Sequence, residues 1–390
     1  MPTILRRHVK RAIGRLRGNR YRPLNRIVLH EKRLLRNVAL VQMQHPGWEI
    51  IPVLKGNAYG HGIEPVADML NDMPGKYVAV DGYFEASQIR DITRRRILVM
   101  GHILPENVEL LDTKRCSFVV QDIEGLRAFG ALCRPVRIHI ELETGMNRLG
   151  LTAAELPAYL DELKRWPDLH VEGVMSHLSD ADNELDDGYT KEQVAAFDAM
   201  VEQIRAAGFK PKMIHIAQTA GSAKADSKYA NAARLGIGTY GINVLTPKDR
   251  HHKLLKDLQP VLELKATIIK VSELPRGAQV SYGRTFTAPK KMRVGTLGLG
   301  YYEGVPRELS SKGAFTHGKT ELPIVGRVCM NHTMIDLTGT SLKAGDEVTV
   351  ISNNPKAPNS VAGLRAQHGL FEYTTLTNLS NSIRRVIVID

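Results

Sequence analysis

Ile50-Ile-Pro-Val-Leu54, followed at once by Lys55-Gly-Asn-Ala-Tyr-Gly-His-Gly62, sets a short apolar strand against a lysine and a glycine-rich turn. A lysine at a strand end over a partly desolvated cavity has a lowered pKa and a fixed direction. An amine needs both if it is to be neutral and to bond a carbonyl-bearing cofactor. Gly56, Gly60 and Gly62 let the backbone approach a ligand closely, and Tyr59 offers a hydroxyl to the same space. Taken alone, the lysine also fits an ordinary strand-to-helix turn with a solvated amine, so the surrounding chain has to decide.

Working outward, apolar runs of strand length recur at 50–55, 77–82, 97–101, 118–121, 136–142, 171–176, 213–218 and 235–240. Between them, 63–73, 84–93, 124–133, 153–165 and 192–207 have helical periodicity, as does 31–43 before the first run. Strand and helix in alternation predict an α/β chain whose N-terminal part is a (β/α)8 TIM barrel, with its active site on the loops that follow the strands. Beyond about His252 the pattern changes to short β-type runs broken by Gly, Pro and Asn, at 262–271, 293–299, 322–330 and 347–352. A C-terminal, mostly β domain is expected there. The expected organisation is a basic N-terminal arm over 1–20, a barrel over 21–251 and a β domain over 252–390.

The chain has 390 residues and a net charge of +12. Nine cations lie between Arg6 and Arg26 with no carboxylate before Glu31, and the remainder is nearly balanced. Such an arm reads as a solvated or frayed helix, with weak attachment to RNA or anionic lipid as the alternative. No aromatic-basic recognition motif supports a nucleic-acid function, and no stable membrane anchoring is expected. Cys116, Cys133 and Cys329 have no metal-ligand spacing, so no metal is expected and they read as thiols of a reducing compartment. With no run of about 18 apolar residues and no leader-like segment, the expectation is a soluble cytoplasmic protein.

Seven segments together resemble the alanine racemase family: KGNAYGHG at 55–62, TGMNRLG at 144–150, Ser176-His177, RLGIGTYG at 234–241, SYGRT at 281–285, Gly300-Tyr301 and GRVCM at 326–330. They occur in the family's order, over nearly the whole chain from about Tyr21. The resemblance implies pyridoxal 5'-phosphate, held in Schiff-base linkage by Lys55, and a racemase with two bases. Lys55 serves one face of the substrate Cα and Tyr282 the other. A phenol of ordinary pKa near 10 needs a neighbouring cation for that role, and Arg148 is the candidate, also reaching the substrate carboxylate. Arg234 is implied to face the pyridine nitrogen. A guanidinium keeps its proton, so the ring nitrogen stays unprotonated and side reactions such as transamination are restrained. His177 is implied to link Arg234 to the phenol; alone it would read as a satisfied strand-end histidine. Phosphate binding falls to Tyr59, the Thr219 hydroxyl and the amides of Gly236 and Ile237. The family further implies a head-to-tail homodimer with shared active sites. Tyr282, Tyr301 and Met330 then enter the partner's barrel, with Arg307 on the entry path.

Three positions depart from the family pattern. Asn331 stands in place of an aspartate, beside the substrate-binding Met330 and Tyr301. Asn381 stands where a tyrosine helps hold phosphate and narrow the entrance, and Glu141 where many relatives carbamylate a lysine. Glu141 is expected to orient Arg148 directly. The implied function is interconversion of L- and D-alanine, supplying D-alanine for peptidoglycan. A broad-specificity amino-acid racemase is the alternative, because a methylene in a pocket shifts preference only modestly. A decarboxylating relative would want an acid opposite the pyridine nitrogen and no Tyr282; a cofactor-carrying regulator with a lone barrel would want no β domain.

Overall fold

The computed structural model describes residues 21–390, and the basic arm at 1–20 lies outside the described residues. The chain divides into two compact units. One comprises Val28–Glu263, Ser352–Leu379 and Ile387–Asp390, and the other Leu264–Ile351, Ser380–Val386 and the described residues up to Ile27.

The first unit is a parallel barrel. Its strands are β1 (Glu49–Pro52), β2 (Tyr77–Val80), β3 (Arg96–Val99), β4 (Cys116–Val120), β5 (Val136–Glu141), β6 (Leu169–Met175), β7 (Met213–His215) and β8 (Ala232–Leu235). From β2 to β7 each strand pairs in parallel with the next. Closure comes from β1 lying parallel to β8, with Glu49 opposite Ala232 and Pro52 opposite Leu235. A parallel bridge from Val53 to Ala79 joins β1 to β2, and Asn231 N donates to Ile214 O over 2.9 Å between β8 and β7. Strands covered on both faces are mostly apolar, and Val78, Leu98, Phe118, Ile138 and Val174 are fully buried.

The helices are α1 (Glu31–Gln44), α2 (Ile63–Met69), α3 (Tyr83–Ile89), α4 (Ile123–Gly130), α5 (Leu156–Leu163) and α6 (Gly188–Ala206). Asp122 caps α4 by accepting from Gly125 N at 2.7 Å. After β3 only 3-10 turns follow, at Pro105–Leu110, and after β7 a single turn, Gly221–Lys224. The expected last barrel run at 235–240 is corrected: the strand is Ala232–Leu235, and Ile237–Tyr240 is a 3-10 turn. Gly236 leaves extended geometry with ψ −108°, and Gly241 closes the turn at φ 84°, so the glycines end the strand before its apolar run does. Two later helices, α7 (Val361–His368) and α8 (Glu372–Thr377), belong to this same unit.

In the second unit β9 (Leu262–Leu274) pairs antiparallel with β10 (Met292–Leu297) and with β14 (Glu347–Ile351). The hairpin β11 (Ala314–His317) and β12 (Thr320–Pro323) adds to β14, and β13 (Thr333–Asp336) pairs with β10. The expected strand at 322–330 stops at Pro323. Gly326 takes φ 77°, its amide donates to Ser311 Oγ at 3.0 Å, and Ser281 Oγ donates to Arg327 O at 2.7 Å. Side chains of other loops thus satisfy the backbone at Gly326, Arg327 and, through Ser310 Oγ, Val328, where the strand ladder has ended.

Candidate active site

At the C-terminal mouth of the barrel a cavity of about 1130 Å³ is lined from the barrel unit, by Lys55, Tyr59, Arg148, His177, Arg234 and Tyr373 among others. The segment that presents Lys55 is unusual backbone. Gly56, Asn57, Ala58 and Tyr59 are left-handed in succession, with φ of 63°, 55°, 55° and 50°. Non-glycine residues disfavour this by roughly 1–2 kcal/mol each, so the turn needs compensation. Ala58 N donates to Leu54 O at 2.7 Å, Ile63 N to Asn57 Oδ1 at 2.8 Å, and Gly56 N to Glu85 Oε1 at 2.8 Å. Gly60 has no alternative, since a Cβ there would sit 1.9 Å from Leu376 O. Lys55 Nζ reaches Asp81 Oδ1 at 3.3 Å.

Tyr59 packs against Tyr240 and Tyr373, with ring centroids 5.2 Å and 6.0 Å away. Burial first, and the neighbouring Tyr373 second, push its phenol well above the ordinary range, so it is a neutral donor. A Cβ on Gly236 would lie 2.6 Å from Tyr59 Oη, so glycine keeps the hydroxyl over the Gly236–Ile237 backbone. Thr219 Oγ1 accepts from Gly238 N at 3.1 Å on the same loop. The first amides of a helical turn have no partner within it, and those of Gly236 and Ile237 open Ile237–Tyr240. A phenol, a hydroxyl and loop amides around space that one methyl group would obstruct are donors suited to a phosphate.

Arg234 is 3% exposed and tightly held. Nη2 donates to Ser176 O at 2.6 Å and lies 3.1 Å from His177 Nδ1; Nη1 lies 2.6 Å from His215 Nδ1. Desolvation lowers the guanidinium to about 10, with Glu141 opposing that shift and Arg148 adding to it, so it is cationic at neutral pH. Burial and then the Arg234, Arg148 and Lys55 charges drive His177 down to about 3, so its ring is neutral. A guanidinium only donates, hence His177 Nδ1 accepts and the ring proton sits on Nε2.

Arg148 rides on a loop closed by Glu143 N donating to Leu151 O at 2.8 Å. The Glu143 carboxylate accepts from the amides of Gly145 and Arg148 inside that loop. Glu141 is 4% exposed, lines the cavity and pairs with Gln121; burial raises its pKa against the pull of Arg234.

Thus Lys55, Tyr59, Arg148, His177, Thr219, Arg234, Gly236 and Ile237 meet around one cavity. The remaining sequence-derived residues belong to the second unit. There Tyr282, 72% exposed, is carried on a 3-10 turn flanked by Ser281 at φ 69°. Tyr301 and Met330 are presented together, because Tyr301 N donates to Cys329 O and Tyr302 N to Met330 O, each at 3.0 Å. Asn331 Nδ2 donates to Glu303 Oε1 at 2.8 Å, and Glu303 Oε2 accepts from Gly300 N at 2.7 Å. Asn381 lies in the Ser380–Val386 segment.

Sequence reasoning missed Tyr373, on α8, whose phenol is pushed up to about 12 by burial and nearby carboxylates. It also missed His139 and His215. The strand period of two puts His139 on the same face as Glu141, which was a usable signal.

The alanine racemase N-terminal domain family matches residues 29–244, and the alanine racemase C-terminal domain family matches 261–387. The chain belongs to the alanine racemase family. It is 31% identical over 364 residues to an alanine racemase of Aquifex pyrophilus, covering 92% of this chain and 96% of that one. It is 34% identical over 340 residues to one from Nitratidesulfovibrio vulgaris, covering 85% and 90%. An alanine racemase structure from Bacillus anthracis with bound L-Ala-P superposes with a TM-score of 0.85 at 26% identity, covering 94% of this chain and 96% of that one. One from Bartonella henselae with covalently bound pyridoxal phosphate shares the alanine racemase fold at a TM-score of 0.82 and 22% identity, covering 94% and 100%.

Proposed function

We propose that the protein interconverts L- and D-alanine on pyridoxal phosphate in the cytoplasm, supplying D-alanine for peptidoglycan. The working form is a homodimer whose cavities each receive Tyr282, Tyr301 and Met330 from the partner subunit. The observation that carries this reading is the convergence of Lys55, Arg148, His177 and Arg234, from four different strand ends, on one cavity beside a phosphate-suited loop.

When bound, the cofactor supplies an electron sink that makes the substrate Cα proton removable. Lys55 holds or takes that proton on one face, and the partner subunit's Tyr282 on the other. Arg148 binds the substrate carboxylate and favours the ionised phenol. His177, neutral and with its Nδ1 engaged by Arg234, has Nε2–H to donate to that phenol. Arg234 would face the pyridine nitrogen of the bound cofactor and, as a guanidinium, keep its own proton. Tyr59, Thr219, Gly236 and Ile237 hold the phosphate, with Asn381 as a further cofactor contact, while Met330, Asn331 and Tyr301 border the substrate. Glu141 sits buried beside the cavity rather than in solvent, and it orients Arg148 as a plain carboxylate.

The test mixes Lys55→Ala chains with Tyr282→Phe chains, each inactive alone. Shared sites restore about a quarter of wild-type racemisation after random exchange, whereas no recovery rejects the shared arrangement. Asn331 and Asn381, in place of the aspartate and tyrosine of the family pattern, favour broad specificity as the second reading. A chirality assay across Ala, Ser, Lys and Arg separates the two.

A further inference from the structure

From Arg234 a line of buried polar groups runs through the barrel interior, away from the cavity. His215 Nδ1 lies 2.6 Å from Arg234 Nη1, and His215 Nε2 lies 2.9 Å from His139 Nδ1. His139 Nε2, buried and without a hydrogen-bond partner of its own, faces Glu172 Oε2 at 3.5 Å. Glu172 in turn accepts from Tyr77 Oη at 2.8 Å and from Ser117 Oγ, and Arg137 Nε stands 3.7 Å away. Both imidazoles are fully buried. The neighbouring strand makes room for them, since a Cβ at Gly173 would fall 2.3 Å from His139 Nδ1.

Donor chemistry gives this line one direction. Arg234 only donates, so His215 Nδ1 accepts and its proton is on Nε2. That N–H fills His139 Nδ1, which puts the His139 proton on Nε2, aimed at Glu172. Burial, then the Arg234 charge, drives His215 far below the usual imidazole range, and burial likewise lowers His139, so both rings are neutral. Burial opposes ionisation of Glu172, but the facing His139 N–H and the hydrogen bonds from Ser117 and Tyr77 outweigh it and hold the carboxyl at about 2. An obligate donor at one end fixes the sense of both hydrogen bonds, Arg234 to His215 and His215 to His139, and leaves the His139 Nε2–H facing an obligate acceptor at the other end. Glu172 also lines a second cavity, of about 450 Å³, with Lys76, Arg94 and Arg96.

We propose that Glu172 is a positioning residue for Arg234: as terminal acceptor it holds His139 and His215 in a single tautomeric sense and so keeps the arginine fork turned to the cavity. Its catalytic consequence rests on the racemase reading, in which a displaced Arg234 loosens control of the pyridine nitrogen. The tautomers themselves do not depend on that reading.

The experiment uses full-length protein with ¹⁵N-labelled imidazoles, without and with pyridoxal phosphate. Wild type is expected to show both rings neutral with the proton on Nε2 from pH 6 to 8; a proton on Nδ1 of either ring overturns the proposal. Glu172→Gln keeps a carbonyl acceptor and is expected to keep both tautomers, while Glu172→Leu is expected to mix them. In loaded enzyme Glu172→Leu then lowers kcat several-fold at unchanged KM and raises, several-fold, the fraction of turnovers that end with the amino group on the cofactor. Wild-type imidazole shifts in folded Glu172→Leu, or lost shifts in Glu172→Gln, overturn the assignment. Should Glu172→Leu not fold, the wild-type and Glu172→Gln spectra decide alone. Intact tautomers in a protein that does not racemise alanine reject the function and leave the positioning role standing.

Discussion

Arg234 Nη2 is shared between Ser176 O, at 2.6 Å, and His177 Nδ1, at 3.1 Å, so one guanidinium nitrogen ties a backbone carbonyl to the ring that faces the cavity. Nη1 does the same for His215, through Nδ1 at 2.6 Å and the carbonyl at 2.9 Å. A lysine keeps the charge but cannot span both sets of acceptors. Arg234→Lys is therefore expected to lose about 2–5 kcal/mol of stability, because each buried acceptor left without a donor costs ~1–3 kcal/mol. Urea unfolding of the two proteins measures it, and equal midpoints and slopes contradict the account.

Gly236 makes a second prediction, local to the cofactor. A Cβ there meets Tyr59 Oη at 2.6 Å, and the Tyr59 ring has little room to retreat between Tyr240 and Tyr373. Gly236→Ala is expected to weaken pyridoxal phosphate binding at least tenfold, which is ~1.4 kcal/mol or more. Fluorescence titration of cofactor-free protein reads the affinity; an unchanged Kd removes Tyr59 and the Gly236 loop from the phosphate site.

The alternation of strand and helix was legible because both period and burial are local: Val78, Ala79 and Val80 are apolar in a row since both faces of their strand are covered. The glycines of 55–62 announced the close turn, and the left-handed run bears them out. What stayed hidden is long-range. Tyr373 reaches the cavity 318 positions after Lys55 (373 − 55), on a helix that no pattern connects with the barrel. The line from His215 to Glu172 exists only once β4, β5, β6 and β7 lie side by side. Strand ends at 235–240 and 322–330 were misread because Gly236 and Gly326 turn the backbone inside apolar stretches, where side-chain pattern carries no warning.

Asn331 fits its surroundings as an amide. Its Nδ2 donates to Glu303 Oε1 at 2.8 Å, and Glu303 is 8% exposed with its other oxygen on Gly300 N. Restoring the family's aspartate sets one carboxylate against another in that space. Asn331→Asp is expected to cost about 1–3 kcal/mol at pH 7, the range for leaving a buried polar group unmatched. Like charges raise the folded-state pKa of the pair, so the penalty is full above the ordinary carboxylate pKa values plus that shift and shrinks as pH falls and a proton is shared. Denaturant midpoints of variant and wild type, compared at pH 7 and pH 4.5, test this; a gap that widens toward acid pH refutes the like-charge explanation.

Acid stability follows from the buried imidazoles. Burial is the leading cause holding His139, His215 and His177 below the usual range, with His177 at about 3. In the unfolded chain each takes a proton near pH 6.5. Above that pH neither state binds the proton and the three rings contribute no slope. Below it the unfolded state alone binds up to three, so stability falls with falling pH, by as much as ~1.4 kcal/mol per pH unit per ring. Glu172 adds to the loss only lower down: with its folded value at about 2, its contribution is complete above the unfolded carboxylate pKa and disappears as pH drops toward 2. Between pH 6.5 and 5 the imidazoles thus set the slope among these four groups. His177→Asn removes one of the three titrating rings and is expected to reduce that slope by about one proton. Equilibrium unfolding at half-unit steps of pH measures both proteins, and a wild-type curve flat across this window means the three rings are not held neutral by the fold.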